Sequence, residues 1–131
     1  MATIRQIGLG LLDLAWHDPK EKIENHIELE KNILTELELL NYEPEASISP
    51  AFSHIFAGGY SAGYYSYKWS EVLDADAFSR FINEDNKNIV AKDFKKILTS
   101  GGAIEASDLF KTFMGRKPKV NALLKRAGLE N

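Results

Sequence analysis

His54, Gly58, Gly59, Tyr60, Tyr64 and Tyr67 fall within one segment running from Phe52 to Trp69. Tyr60, Tyr64 and Tyr67 are spaced i, i+4 and i+7, which on a helix stacks three phenols on one face. A row of hydroxyl donors facing a groove can bind peptide carbonyls or stabilise an oxyanion, each well-placed donor contributing roughly 3–4 kcal/mol. An isolated histidine beside them can donate to a developing charge. The competing reading is a core stripe. Against it, buried phenol hydroxyls need partners, and Tyr65 and Trp69 already supply bulk on a neighbouring face. The segment reads as one half of an active site.

The other half, a metal or a nucleophile with its base, is not found in the chain. His17, His26 and His54 are the only histidines, and none stands in a His-Glu-x-x-His, His-x-x-Glu-His or His-x-His setting. His17 reads as a helix-end residue and His26 as part of a solvated face. Cysteine is absent, which removes disulfides, thiolate zinc sites and cysteine nucleophiles together. Ser53, Ser61 and Ser66 lie near His54, but no G-x-S-x-G elbow accompanies them. Gly58-Gly59 and Gly63 are followed by no lysine-serine or lysine-threonine pair, so they are read as a hinge or a turn rather than a phosphate loop. The carboxylate pairs Glu28 with Glu30 and Asp74 with Asp76 are read as solvated helix residues.

The elements that must position this segment are helical. Ile4, Ile7, Leu11 and Leu14 recur at helical spacing and predict a first helix with that face buried. Gly8 and Gly10 within it allow close packing against a neighbour. Asp18-Pro19-Lys20-Glu21 has the capping-box arrangement and predicts the start of a second helix, continuing through Ile23, Ile27, Ile33, Leu34, Leu37 and Leu40 and losing its period at Asn41 to Pro44. Ser47 to Gly59 reads as a long loop. A central helix is expected from Tyr60, with Tyr65, Trp69, Val72 and Leu73 covering one side and Phe78, Phe81 and Ile82 finishing it. Asn86 or Asn88 caps the next, built on Ile89, Val90, Phe94, Ile97 and Leu98 and stopped by Gly101-Gly102. Leu109, Phe110 and Phe113 mark a further helix ended by Gly115. Pro118 opens a last one with Val120, Leu123 and Leu124, closed by Gly128. The expectation is an all-α domain spanning residues 1–131, of about six helices with no strand and no repeat.

A length of 131 residues suits one domain, burying somewhat under ~70% of its unfolded surface. With 44% hydrophobic and 27% charged residues, the composition is that of an ordinary globular chain. A net charge of -3 and a pI near 5.6 argue against nucleic acid, and Arg116-Lys117-Pro118-Lys119 reads as a solvated basic face. No apolar run reaches the ~18 residues of a membrane span, and Met1 to Trp16 has no leader signature. These features point to a protein neither exported nor anchored, in the cytoplasm.

The stretch from Phe52 to Phe81, with Ser70-Glu71-Val72-Leu73-Asp74-Ala75-Asp76-Ala77-Phe78 at its end, closely resembles the C-terminal part of the M3-family zinc oligopeptidases. Within that family it is most similar to the peptidyl-dipeptidase and oligopeptidase A branch. The resemblance extends through Leu11 to His17, Ile97 to Gly102, Phe113 to Pro118 and Ala122 to Leu129, and so covers essentially the whole chain. It implies part of one wall of a nearly all-helical body split by a deep channel. It implies that His54 and Tyr67 stabilise the tetrahedral intermediate, that Tyr60 and Tyr64 contact substrate backbone, and that Gly58-Gly59 belongs to a mobile loop beside the cleft. The family's zinc is held upstream of this region by a His-Glu-x-x-His helix and a later glutamate, so no metal ligand is expected here. Three functions follow as expectations. The first is the C-terminal portion of a zinc peptidase that cleaves short peptides, inactive alone and partnered by the upstream zinc-bearing part. The second is a helical peptide-binding or complementing module that pairs with a separate zinc-bearing chain. The third, an independent enzyme, needs a nucleophile or metal that the sequence does not offer. The face that meets the rest of a catalytic domain should be apolar, which also predicts self-association.

Overall fold

The computed structural model describes residues 2–35, 37 and 44–130. Among them the chain is all-helical, with seven α-helices, two 3-10 turns and no strand. It divides into two compact units, Met1–Lys68 and Trp69–Asn131.

The first unit is built on α1 (Ala2–His17), α2 (His26–Leu34), the 3-10 turns Pro44–Ala46 and Ser49–Ala51, and the short α3 (Ser53–Phe56). Its core is Leu9, Leu12, Phe52 and Ile55, with Trp16, Leu29, Ile33, Ile48 and Tyr64 packed around them. Gly8 and Gly10 serve the close packing the sequence suggests. A Cβ on Gly8 would stand 3.0 Å from the Leu34 side chain, and one on Gly10 would stand 3.4 Å from the Tyr65 Cα.

Three expectations change in this unit. The buried face of α1 is Gly8, Leu9, Gly10, Leu12 and Asp13, whereas Ile4, Ile7, Leu11 and Leu14 are exposed. Asp18 does not open a helix, because its N–H donates to the Leu14 carbonyl (2.8 Å) and completes the end of α1. The cap of α2 is instead Asn25, whose side-chain oxygen accepts from the N–H groups of Ile27 (3.0 Å) and Glu28 (3.4 Å). Glu30 is fully buried rather than solvated, and its carboxylate accepts from the Ser47 hydroxyl (2.8 Å), the Ile48 N–H (3.0 Å) and the Ser49 N–H (2.6 Å). Leu40 and Asn41 to Glu43 lie outside the described residues.

A fourth correction concerns the tyrosines. The central helix α4 (Ser66–Asn83) starts six residues after Tyr60, and residues 61–65 are consecutive turns. The Gly63 N–H donates to the Tyr60 carbonyl (2.8 Å) and the Ser66 N–H to the Gly63 carbonyl (3.1 Å). Ala62, with φ at 54°, sits in a left-handed conformation that no α-helix accommodates. Of the side assigned to Tyr65, Trp69, Val72 and Leu73, Val72 is buried, with Ala75 and Asp76 beside it on α4, whereas Tyr65, which precedes the helix, and Trp69 are exposed, at 53% and 50%.

The second unit continues α4 and adds α5 (Lys87–Ser100), α6 (Ala106–Met114) and α7 (Asn121–Arg126). Val72, Ala75, Val90, Phe110 and Phe113 are buried, and the rings of Phe81, Phe94 and Phe113 meet one another at 5.7–6.3 Å. Asn86 caps α5, accepting from the Ile89 N–H (3.4 Å), and Gly115 (φ 70°) ends α6 with its N–H on the Lys111 carbonyl (2.7 Å). Asp76, read from sequence as solvated, is 2% exposed. Arg116 reaches it through both terminal nitrogens at 2.7 Å, and the Lys119 N–H donates to it at 2.8 Å. Part of the basic cluster is thus an internal ion pair, and α7 begins at Asn121 rather than at Pro118.

Candidate functional site

Every residue that the sequence nominates for chemistry lies in the first unit, around the turns that join α3 to α4. His54 sits in α3 and is exposed. Gly58 and Gly59 follow immediately, with the Gly58 N–H donating to the carbonyls of Ser53 (3.0 Å) and His54 (3.2 Å). A Cβ at Gly58 would come within 2.8 Å of both the Cα and the carbonyl oxygen of His54, so only glycine allows the chain to double back this closely. Gly59, at φ 77°, then redirects the backbone towards Tyr60. The Tyr60 N–H returns to the His54 carbonyl (3.2 Å), placing the first phenol beside the imidazole.

The four rings form one cluster. His54 lies 6.0 Å from Tyr60 and 6.2 Å from Tyr64, centroid to centroid, and both contacts are edge-on. Tyr67 stacks on Tyr60 (5.6 Å, 20° between planes) and meets Tyr64 edge-on at 5.2 Å. Phe52, from the core, holds the other side of Tyr64 at 4.9 Å. The i, i+4, i+7 spacing therefore assembles the tyrosines, but through a chain of turns followed by the first turn of α4 rather than along one helix.

A hydrogen bond with Tyr60, then partial burial and the neighbouring phenols, push the Tyr67 hydroxyl above the ordinary tyrosine range. A phenol is protonated at neutral pH in any case, so Tyr67 is a donor there. Donors grouped in this way on a surface-facing cluster can hydrogen-bond carbonyl oxygens and the oxyanions that form from them.

A metal does not fit this cluster. Among the described residues no three His, Asp or Glu side chains converge on a common point. The His17 imidazole is engaged elsewhere, its Nδ1 standing 2.8 Å from both the Asp13 carboxylate and the Asp13 carbonyl.

One residue of the site is missed by sequence reasoning. Asp13, fully buried in α1, accepts the N–H of Ala62 on one carboxylate oxygen and the N–H of Tyr64 on the other, each at 2.9 Å. An aspartate on the buried side of a helix is the signal that exposes it, and that side is visible only once Leu9 and Leu12 are known to be the core.

The model of peptidase family M3 matches residues 1–129. The chain belongs to this family. Relatives include oligopeptidase A of Haemophilus influenzae, 43% identical over 135 residues that take in 100% of this chain and 20% of that protein. Oligopeptidase A of Escherichia coli is 43% identical over 97% of this chain and 19% of its own length. The dipeptidyl carboxypeptidase of Salmonella typhimurium is 30% identical over 95% of this chain and 19% of its own length. The chain thus spans about one fifth of the length of the curated relatives it matches. The resemblance read from the tyrosine segment holds across the chain, and the all-helical fold agrees with it.

Proposed function

We propose that this chain is the C-terminal portion of a zinc metallopeptidase of family M3 that cleaves short peptides. The observation that carries the proposal is the gathering of His54, Tyr60, Tyr64 and Tyr67 into one ring cluster beside the Gly58-Gly59 turn. In this reading the Tyr67 hydroxyl and the His54 imidazole donate to the oxyanion that develops on the scissile carbonyl, and Tyr60 and Tyr64 bind the peptide backbone on either side. Tyr67 rests on Tyr60 until a substrate oxygen replaces that partner. The Gly58-Gly59 loop moves with peptide entry.

The zinc and the base that activates water come from the upstream part of the longer protein, and the chain alone does not hydrolyse peptides. Residues 1–131 then form one piece of a larger catalytic domain. Family membership supports the peptidase reading, as do relatives that bear the names oligopeptidase A and dipeptidyl carboxypeptidase. A cytoplasmic location is supported by an Arabidopsis thaliana relative named a probable cytosolic oligopeptidase A, and the cysteine-free sequence is compatible with it.

Two measurements test the proposal. An antibody against this segment, used on an extract of the source cells, should detect a product several times larger than 14.7 kDa. A band at that mass would favour the complementing-module reading. In the longer peptidase, Tyr67→Phe removes one oxyanion donor and keeps the ring, so kcat should fall by roughly 10²–10³-fold with little change in KM. Unchanged turnover would remove Tyr67 from the site.

A further inference from the structure

The turn that carries the tyrosines is not self-sufficient. Residues 61–65 combine a left-handed alanine (Ala62, φ 54°) with turns closed by single backbone hydrogen bonds. A non-glycine residue pays about 1 kcal/mol or more for that conformation. Outside contacts must hold it in place, and α1 provides two from one face, three residues apart. Gly10 lets the helix backbone lie against Tyr65, with the position of its absent Cβ 3.4 Å from the Tyr65 Cα. Asp13 supplies the second, its two carboxylate oxygens taking the N–H groups of Ala62 and Tyr64 that flank Gly63. The carboxylate is fully buried, and the His17 imidazole at its Oδ1 (2.8 Å) completes its partners. A third tie comes from the Ser61 hydroxyl on the Ile55 carbonyl (2.6 Å), within the same unit.

We infer that Asp13 is a positioning residue for the tyrosine cluster: its paired hydrogen bonds fix the Ala62–Tyr64 turn and so set where the Tyr60, Tyr64 and Tyr67 hydroxyls stand. The functional meaning of that placement rests on the peptidase reading above, but the hold itself is a property of this chain. A carboxylate is required because two diverging N–H groups need two acceptor oxygens. Asparagine has one, and its amide nitrogen would face an N–H donor.

The test uses the whole 131-residue chain, comparing Asp13→Asn and the double variant Asp13→Asn with Ala62→Gly against the parent. Nuclear magnetic resonance reads amide exchange and the titration of each tyrosine ring. In Asp13→Asn, exchange at Ala62 and Tyr64 should accelerate at least about tenfold while Val90 in the second unit is unchanged. The Tyr67 titration should move down towards that of a free tyrosine as its hydrogen bond with Tyr60 loosens. Adding Ala62→Gly removes the penalty of the left-handed turn and should restore much of the Tyr67 shift. Unchanged exchange and an unchanged Tyr67 titration would overturn the inference. So would a loss of protection throughout the first unit that Ala62→Gly does not relieve, which would make Asp13 a determinant of the core rather than of the turn. Neither readout involves peptide hydrolysis, so this result and the Tyr67→Phe turnover result fail independently.

Discussion

Three buried carboxylates do work that their neighbours in sequence conceal. Asp13 holds the tyrosine turn, Asp76 joins α4 to the segment after α6, and Glu30 ties α2 to Ser47, Ile48 and Ser49. Burial alone would raise the Glu30 pKa, but the Ser49 hydroxyl and N–H, with Ile48 and Ser47, outweigh it and hold the group down from 4.5 to about 2. Because the folded pKa is depressed, the stabilisation is fully present above about pH 4.5 and is lost as the pH falls from there towards 2. The shift corresponds to about 3 kcal/mol at neutral pH. Glu30→Gln leaves one acceptor oxygen for these four donors and should destabilise the first unit by ~1–3 kcal/mol at pH 7 while flattening its stability between pH 4.5 and 2. Urea unfolding followed by Trp16 fluorescence in a Trp69→Phe background reads this, since Trp16 packs on that unit's core. A pH dependence that survives the substitution would assign the linkage to another group.

At the scale of elements, the sequence is most legible where local chemistry decides the structure. Asn86 and Gly115 mark helix ends because capping and left-handed termination are satisfied within a few residues. It misleads where a distant contact takes over. The Asp18-Pro19 signal fails because α1 uses the Asp18 N–H first, and the helix expected at Tyr60 is delayed because Asp13, some fifty residues away in sequence, claims the N–H groups of Ala62 and Tyr64. The ring cluster was foreseeable from spacing, since turns and helix both bring Tyr60, Tyr64 and Tyr67 together. Its support on α1 was not, because no local pattern links Asp13 to residue 62. The Gly58 turn gives a prediction at this scale. Gly58→Ala forces a Cβ into the His54 backbone at 2.8 Å, so α3 or the turn must shift. The variant should lose roughly 1–3 kcal/mol in thermal or urea unfolding and displace His54 from Tyr60, seen as changed ring shifts for both residues. An unperturbed His54 spectrum would show that the approach is looser than the geometry implies.

For the molecule as a whole, the informative disagreement is the face of α1. Ile4, Ile7, Leu11 and Leu14 follow helical spacing as a buried stripe would, yet each is 38–45% exposed, while the opposite face buries Leu9 and Leu12. Scattered apolar residues on a surface need no explanation, but four in register along one helix form a patch of the kind that partners cover. The relatives are about five times longer than this chain, so the natural cover in our proposal is the upstream part of the peptidase. In its absence a second copy is the available apolar partner. The isolated chain should therefore associate weakly, with a Kd of roughly 0.1 mM, because one helix face falls at the small end of specific interfaces. Ile7→Glu with Leu11→Glu should abolish association and change unfolding by less than about 0.5 kcal/mol, since both side chains are exposed in the folded unit. Sedimentation equilibrium across a concentration series decides it. A parent chain that remains monomeric at millimolar concentration would mean the stripe is not a self-association face. A pair of glutamates that unfolds the first unit would mean that this face is part of the unit's own core.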